Sequence, residues 1–361
     1  MTTPGSAHET SVVKAQTAPD ARDPRKPEGL KPVLGPAWRY ILMRAIREFL
    51  RDKSTVLAAA LTFYMLLGTF PALLALMSVI GLFGLTEEAV AFIDEMSAYL
   101  TDPTFAETLR STVEQLGESS GAGTAFLVGL LGALWSASGY VNCFSHAMNT
   151  VYEIDEGRPF WKLRPIMMLW TIVLLVLMLL IFAILALSGP VAAAVGGIIG
   201  LGDASLAVWS FARWPIVLAV VIVMIAVLFY GTPNVRLPKF KWMTLGAFIA
   251  LFVTVIASGG FFFYVANFSS YERLYGSVAG VIIGLLWLWI VNLALLFGAQ
   301  CDAEIERVRE LRGGIEAEQS IQLPPRDTKA SAKRLEQIEK DVEKGRELRN
   351  GAPEGHIDHS E

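Results

Sequence analysis

Six long stretches of this chain carry almost no charged residue, and polar, charged segments separate them. The stretches lie within 54–86, 119–152, 166–187, 214–230, 242–265 and 276–301. About 20 apolar residues are enough for a helix to cross a hydrocarbon core of about 30 Å. We therefore predict an all-α, polytopic membrane helix bundle with six transmembrane helices.

The composition of the chain agrees with a membrane protein. Hydrophobic residues make up 53% of the 361 residues, charged residues only 18%, and the mean hydropathy is +0.48. A soluble domain carries about 25% charged residues. The two cysteines form no close motif, so no disulfide framework is expected. The net charge of −4 does not indicate a nucleic-acid partner, and the expected partner is the lipid bilayer.

The segments outside the apolar stretches suggest three parts. Residues 1–35 are rich in Pro, Ala, Thr and charge, which is typical of a disordered tail. Residues 36–309 form the predicted six-span membrane domain. Residues 310–361 form a charged tail, and its i,i+4 charge pairs predict a solvated helix over 331–349.

Three segments of the membrane domain have special patterns. Apolar residues at helical spacing among arginines predict a basic amphipathic helix from Trp38, either on the inner membrane surface or packed on the protein's own cytoplasmic side. The acidic segment 85–118 suggests two short amphipathic helices in the first outer loop. The Gly/Ala-rich segment 188–204 could extend the preceding helix or re-enter the membrane.

Basic residues alternate between the loops and set the expected orientation. The first 53 residues hold ten Lys or Arg, and loops 153–164 and 231–241 hold three each, whereas the intervening loops hold one apiece. Loops rich in Lys and Arg stay in the cytoplasm. We therefore expect a multi-pass protein with both termini in the cytoplasm and the acidic segment 85–118 on the outside.

Polar residues within the apolar stretches suggest a substrate site. Asn142, His146 and Asn149 share one helical face, and with Tyr64 and Asn292 they could line a polar cleft open to the cytoplasm. The same residue types also act as contacts between membrane helices. Four cations could attract an anionic lipid headgroup, or simply fix the topology: Arg158, Arg164, Arg236 and Lys239.

Two further features concern helix packing. Pro71 removes a backbone donor and predicts a kink in the first span. Gly276, Gly280 and Gly284 recur at every fourth residue, a spacing that lets another helix approach closely, and the second span is the first candidate. No catalytic, nucleotide-binding or metal-binding motif is present, so we expect neither enzyme activity nor a cofactor.

Three blocks of sequence together resemble the bacterial YihY/virulence factor BrkB membrane proteins, a family once labelled ribonuclease BN-like. The blocks are 58–76, 134–165 and 237–250 continuing through 261–304. The resemblance implies an inner-membrane protein with six spans and a link to transport of envelope lipids. At the end of the last span the acidic residue differs in position: this chain has Gln300 where the family commonly has a carboxylate, and Asp302 two residues later.

These observations support two functional hypotheses. The first is a transporter of lipids or other amphiphiles, energised by a gradient, by a partner or not at all. The second is a scaffold for envelope assembly that moves no substrate and uses its acidic outer loop and charged tail. Ribonuclease activity is not expected, because no set of metal ligands and general bases is visible. The sequence does not indicate the oligomeric state.

Overall fold

The computed structural model describes residues 7–27, 35, 37–82, 107, 110–111, 122–186, 203–237, 243–268 and 279–350, without the side chains of 70–82 and of a few residues at helix ends. The described chain is helical and holds no strand, only an isolated bridge between Val235 and Pro325. The helices are α1 (Ala7–Thr17), α2 (Trp38–Arg51), α3 (Ser54–Leu82), α4 (Ala122–Val151), α5 (Phe160–Ala186), α6 (Asp203–Gly231), α7 (Met243–Phe268), α8 (Ala279–Arg312) and α9 (Lys329–Asn350). The all-α membrane bundle is confirmed.

Five of these helices are long and apolar enough to cross a membrane by length and composition. The segments concerned are Leu127–Val151, Phe160–Leu185, Val208–Gly231, Leu245–Val265 and Gly280–Arg312. Helix α3 is 29 residues long, but only its part Ser54–Thr69 enters this comparison. The sixth crossing therefore stays a prediction. The predictions for 85–118, for 188–204 and for the kink at Pro71 lie outside the described residues or side chains.

The six long helices α3 to α8 form a closed ring. Each packs against its neighbour in the order of the chain, and α8 returns to pack against α3. Small residues allow the closest approaches. The ring of Tyr64 on α3 lies directly against Gly139 on α4, and Gly298 on α8 lies against Gly246 and Ala250 of α7. A side chain at either glycine would collide with the facing helix.

The predicted glycine stripe of the last span does not make such an approach. At Gly280 and Gly284, no described residue lies within 4 Å of where a Cβ would stand, and Gly276 lies outside the described part. Among the described residues, the predicted close packing against the second span is not seen at these two glycines, and it stays a prediction. Helix α8 packs closely against α7 farther along the chain, around Gly298. One turn later, the carboxyl group of Asp302 accepts the backbone N–H of Gly246.

One end of the bundle carries a polar cap, which we define as residues 7–27, 37–53, 152–159, 232–237 and 313–334 together with the end of α8. Lys26 is fully buried there and pairs with Glu306 and Glu310 at 3.0 Å each. The expectation of a disordered tail is therefore wrong for residues 7–27. Composition missed this because the segment is held mainly by charge pairs rather than by apolar burial.

The C-terminal part of the chain contributes to the same cap. Ile321 and Leu323 are completely buried in the main hydrophobic cluster, so this part of the predicted tail belongs to the core. Beyond it, α9 is solvated, as the i,i+4 charge pattern predicted, and Lys340 pairs with Glu336 in water. The cap gathers the N-terminal segment, the two basic loops and the C-terminal segment at one end of the molecule.

Helix α2 is the part of the cap that packs against the end of α8. Ile41 packs with Ile305 and Val308 of α8, which agrees with the second interpretation, that this helix packs on the protein itself. The opposite face leaves Trp38, Met43 and Leu50 exposed. The contact with the membrane surface stays a prediction.

Candidate functional site

A half-open cavity of about 340 Å³ lies between the helices of the ring, and all six helices contribute to its wall. One lining residue from each helix shows the arrangement: Met65, Tyr140, Thr171, Met224, Leu251 and Val291. Ligand cavities in proteins typically measure about 300–1,000 Å³ and are lined mainly by apolar side chains. The cavity is therefore large enough for a small ligand or for part of a longer one.

The wall of this cavity is almost entirely apolar. Its two threonines satisfy their hydroxyl groups within their own helices, Thr171 donating to the Met167 carbonyl at 2.8 Å and Thr254 to the Ala250 carbonyl at 2.7 Å. Met178 lies in the wall with Met65 and Met224. Because methionine side chains are flexible, such a wall can adapt to differently shaped apolar groups. The cavity suits a hydrocarbon chain rather than a charged headgroup.

One polar chain of hydrogen bonds lies beside the cavity. The Tyr140 hydroxyl donates to Asn292 Oδ1 at 3.0 Å, and Asn292 Nδ2 donates to Thr62 Oγ1 at 3.2 Å and to the Leu288 carbonyl at 3.0 Å. Asn292 is fully buried, and its partners belong to α3, α4 and α8 itself. This network ties three helices of the ring together through satisfied polar groups.

The polar cap contains a buried ion pair next to the ring. Arg158 Nε donates to Glu156 Oε1 and Arg158 Nη2 to Glu156 Oε2, both at 2.7 Å, and both side chains are about 95% buried. The same Nη2 donates to the Thr232 carbonyl at 2.8 Å and to Ser145 Oγ at 3.0 Å. The pair therefore joins the end of α4 to the end of α6.

Asn149 and Asn234 extend this junction to the C-terminal segment. Asn149 Nδ2 donates to Glu156 Oε2 at 2.9 Å, and its Oδ1 accepts the Asn234 backbone N–H at 2.7 Å. Asn234 Nδ2 donates to the Asp155 and Asp327 carbonyls, and its Oδ1 accepts the Asp327 N–H. Every polar group of these two amides is used for fixing loops, which leaves none for a substrate.

Burial and pairing shift several pKa values in the cap. Burial raises the pKa of Asp52 to about 6, although the neighbouring Arg51 opposes the rise. Burial also lowers the pKa of Lys14, whose ammonium group donates to the Glu153 carbonyl at 3.1 Å. For Asp327, burial raises the pKa, but the hydrogen bonds from Lys162 and from the Lys329 and Thr328 backbone together outweigh it, so the pKa is lowered. The cap is thus an electrostatically coupled unit.

The five residues predicted to line one polar cleft occupy different environments. Tyr64 packs on Gly139, Asn149 is hydrogen-bonded to Glu156 of the cap, and Asn292 belongs to the ring network. His146 is exposed on the outer side of α4, and Asn142 is half-buried with its Oδ1 lacking a hydrogen bond. None of the five is among the residues that line the cavity. The predicted cleft is not formed as a single wall.

The four predicted headgroup-attracting cations also differ. Arg158 is buried against Glu156, so its assignment to headgroup attraction is wrong: its charge is already neutralised inside the cap. Arg236 is exposed, and Lys239 lies outside the described residues. Arg164 is half-buried and stacks on two aromatic rings. Only Arg164 and Arg236 of the described three are available to an external anion.

Sequence reasoning missed Tyr140, Thr62, Glu156 and Asn234. A signal existed for one of them, because Glu156 and Arg158 are two residues apart in a loop between apolar spans, where a buried charge requires a partner. The apolar cavity itself left no signal, because its lining residues read as ordinary membrane-helix residues. Within the described part of the chain, no group of three or more His, Cys, Asp or Glu side chains is arranged to hold a metal ion.

Comparison with known proteins identifies relatives along most of the chain. It is 26% identical over 254 residues to YfkH of Bacillus subtilis, described as ribonuclease-like, covering 70% of this chain and 90% of YfkH. It is 29% identical over 265 residues to a UPF0761 membrane protein of Alkalilimnicola ehrlichii, covering 70% of this chain and 55% of that protein. A UPF0761 membrane protein of Mannheimia succiniciproducens is 25% identical over 272 residues, at 74% and 90% coverage.

These relatives differ in length, and the chain spans only about half of the Alkalilimnicola protein. No solved structure matches the chain. The family model described as Virulence factor BrkB matches residues 45–321, a range that includes all six helices of the ring and about half of the polar cap. The chain is an integral membrane protein and belongs to the virulence factor BrkB family.

Proposed function

We propose that this protein transports a lipid or another amphiphile of the cell envelope, and that the apolar part of this substrate occupies the cavity of the helix ring. The observation that carries the proposal is the apolar cavity of about 340 Å³ at the common contact of six helices. Helices packed only for stability leave few voids of this size. An apolar wall surrounded by a membrane provides a place for hydrocarbon but none for ions or polar solutes.

Two properties of the ring suit movement of such a substrate. The cavity wall contains flexible methionines, and around it the polar contacts between helices are few in the described part, chiefly the Tyr140–Asn292–Thr62 network. Membrane helices without a dense polar network can shift relative to one another at low cost. The cap, by contrast, would hold one end of the helices in place while the ring adapts.

The proposal includes an orientation in the inner membrane. The basic loops and both terminal segments lie in the polar cap, so the positive-inside rule places the cap in the cytoplasm. Reporter fusions after Glu95 and after Glu310 test this directly. We expect the first to report the outside and the second the cytoplasm; the same side for both would exclude the orientation.

The function is tested with matched variants of two adjacent residues on α7. Thr254 lines the cavity, whereas Val255 is 62% exposed on the outer side of the same helix. In liposomes containing a fluorescent phospholipid, the wild type should move label between the leaflets. Thr254→Phe fills the cavity and should slow this movement about tenfold, which corresponds to a free-energy barrier raised by roughly 1.4 kcal/mol. Val255→Phe should leave the rate unchanged.

The alternative is the scaffold that moves no substrate. If the folded wild type moves no labelled lipid or single-chain amphiphile, and Thr254→Phe retains the cellular role, the transport proposal fails and the scaffold remains.

The ribonuclease-like description of YfkH is tested separately. Purified protein freed of contaminating nucleases should leave RNA intact, and cleavage lost on changing His146 or Asp302 would contradict this expectation.

A further inference from the structure

Arg164 is held between two aromatic rings near the start of α5. Its guanidinium carbon lies 5.3 Å from the centroid of Trp135 on α4 and 5.5 Å from that of Phe160. Both distances lie within the range of cation–π attraction. Phe160 is itself packed edge-on against Trp161 at 5.4 Å. The aromatic contacts therefore fix the position of a positive charge at the surface of the bundle.

No carboxylate neutralises Arg164 within the described residues. This sets it apart from Arg158, six residues earlier, which is buried against Glu156, and from Arg307, which pairs with Glu153 and Glu304. Arg158 and Arg307 use their donors on acidic partners, whereas an arginine held by aromatic faces keeps its donors for an external acceptor. A planar guanidinium with free N–H groups matches a phosphate group in charge and geometry.

The surroundings of Arg164 indicate where that acceptor comes from. Trp161 is 83% exposed and Trp135 63% exposed, although both are large aromatic residues. Aromatic side chains of this kind collect at the level of lipid headgroups in membrane proteins. Arginine next to a spanning segment likewise reaches toward the headgroups. The acceptor nearest to such a position is the phosphate of a membrane lipid.

We propose that Arg164, with Trp135 and Phe160, binds the phosphate of an anionic phospholipid at the groove between α4 and α5. The evidence for this site is the set of contacts that Arg164 makes with the two aromatic rings, and it does not depend on the cavity. Its link to the cavity, in contrast, rests on the proposed function. Arg164 and Thr171 are seven residues apart, so they share one face of α5 and lie about 10 Å apart along its axis. A lipid whose phosphate binds at Arg164 could direct a chain toward the cavity wall.

Native mass spectrometry of the full chain in detergent tests the site, with phosphatidylglycerol, phosphatidylcholine or inorganic phosphate added. We expect phosphatidylglycerol to bind more tightly than phosphatidylcholine, and Arg164→Ala to weaken its binding about fivefold, as for the loss of one basic contact. Arg164→Lys keeps the charge but loses the planar group, and should bind at an intermediate level. Arg236→Ala removes an exposed arginine that stacks on no described ring, and should bind like the wild type.

The outcomes separate this site from the proposed function. Equal weakening by Arg164→Ala and Arg236→Ala would show general charge attraction and overturn the site. Competition by inorganic phosphate at millimolar concentration would assign the arginine to a soluble anion and overturn the lipid. A Trp135→Ala variant that folds but binds phosphatidylglycerol normally would also contradict it. Thr254→Phe should leave lipid binding at Arg164 intact even though it blocks lipid movement, so either proposal can fail alone.

Discussion

The polar cap is held together by buried ion pairs, whereas the helix ring is held together mainly by apolar contacts. In the cap, Lys26, Arg158 and Arg307 are almost completely buried, and each forms an ion pair with glutamate. In the ring, the helices line a half-open apolar cavity, and the polar groups of the ring mostly satisfy one another within or between neighbouring helices. Charge pairs with several directional hydrogen bonds define one geometry, whereas apolar contacts define only proximity.

The difference assigns different tasks to the two regions. The cap connects the N-terminal segment, two loops and the C-terminal segment through contacts that are costly to break, so it fixes the ends of the helices. Among its described residues, the ring has no such ion pair around its cavity, so we expect it to adjust to a ligand. A rigid base below an adaptable cavity is what the transport proposal requires, and the following variants test that contrast.

The largest effect is expected from breaking the buried ion pair of the cap. Arg158→Ala leaves Glu156 buried without its cation, which should destabilise the protein by about 3–5 kcal/mol and abolish most of the folded yield. Arg236→Ala, at an exposed arginine, should change the melting temperature in detergent very little. A double replacement of Glu156 and Arg158 by Gln and Met should recover part of the loss. Normal melting of Arg158→Ala would contradict the rigid cap.

A smaller effect should distinguish close helix contacts from the predicted glycine stripe. Gly298→Leu places a side chain where Ala250 and the Gly246 carbonyl already lie within 3 Å of the Cβ position, and should cost about 1–3 kcal/mol or more. Gly280→Leu, where no described residue is near, should leave folded yield and melting temperature almost unchanged. If Gly280→Leu is the more damaging variant, the packing of α8 described above is wrong.

The smallest effect concerns Asp52 in the cap. Its pKa is raised to about 6 by burial, above the usual 3.8, so the folded state holds a proton that the unfolded state has lost. The stability from that proton is present below about pH 4 and is lost as the pH rises through 6. Asp52→Asn should therefore raise the unfolding free energy by about 1 kcal/mol at pH 7.5, after allowance for solvent screening, and less at pH 4.5.

Thermal melting followed by tryptophan fluorescence at the two pH values measures this difference. The comparison of Asp52→Asn with the wild type at each pH removes the effects of other titrating groups. If Asp52→Asn raises the unfolding free energy equally at both pH values, or more at pH 4.5, then burial does not raise the pKa of Asp52.

The fold was predictable to the extent that it follows from apolar length and charge. The spans of α4 to α8 and the solvated helix α9 were found because long uncharged runs and i,i+4 charge pairs act locally. The cap was not predictable, because Lys26 and Glu310 are 284 residues apart and no local sequence pattern indicates a pair over that distance. For the site, Asn292 was found because it is polar within a span, but the cavity depends on how six helices diverge, which no single helix encodes.

The central claim, that hydrocarbon enters the ring, is tested most directly by photocrosslinking. The full chain is reconstituted with a phospholipid that carries a diazirine near the end of one acyl chain, and the labelled residues are mapped by mass spectrometry. We expect labelling of residues in the cavity wall, Met65, Val221 and Met224 among them, and loss of that labelling in Thr254→Phe but not in Val255→Phe. Labelling confined to outward-facing residues such as Val255 and Phe252, with the wall unlabelled in the wild type, would contradict it.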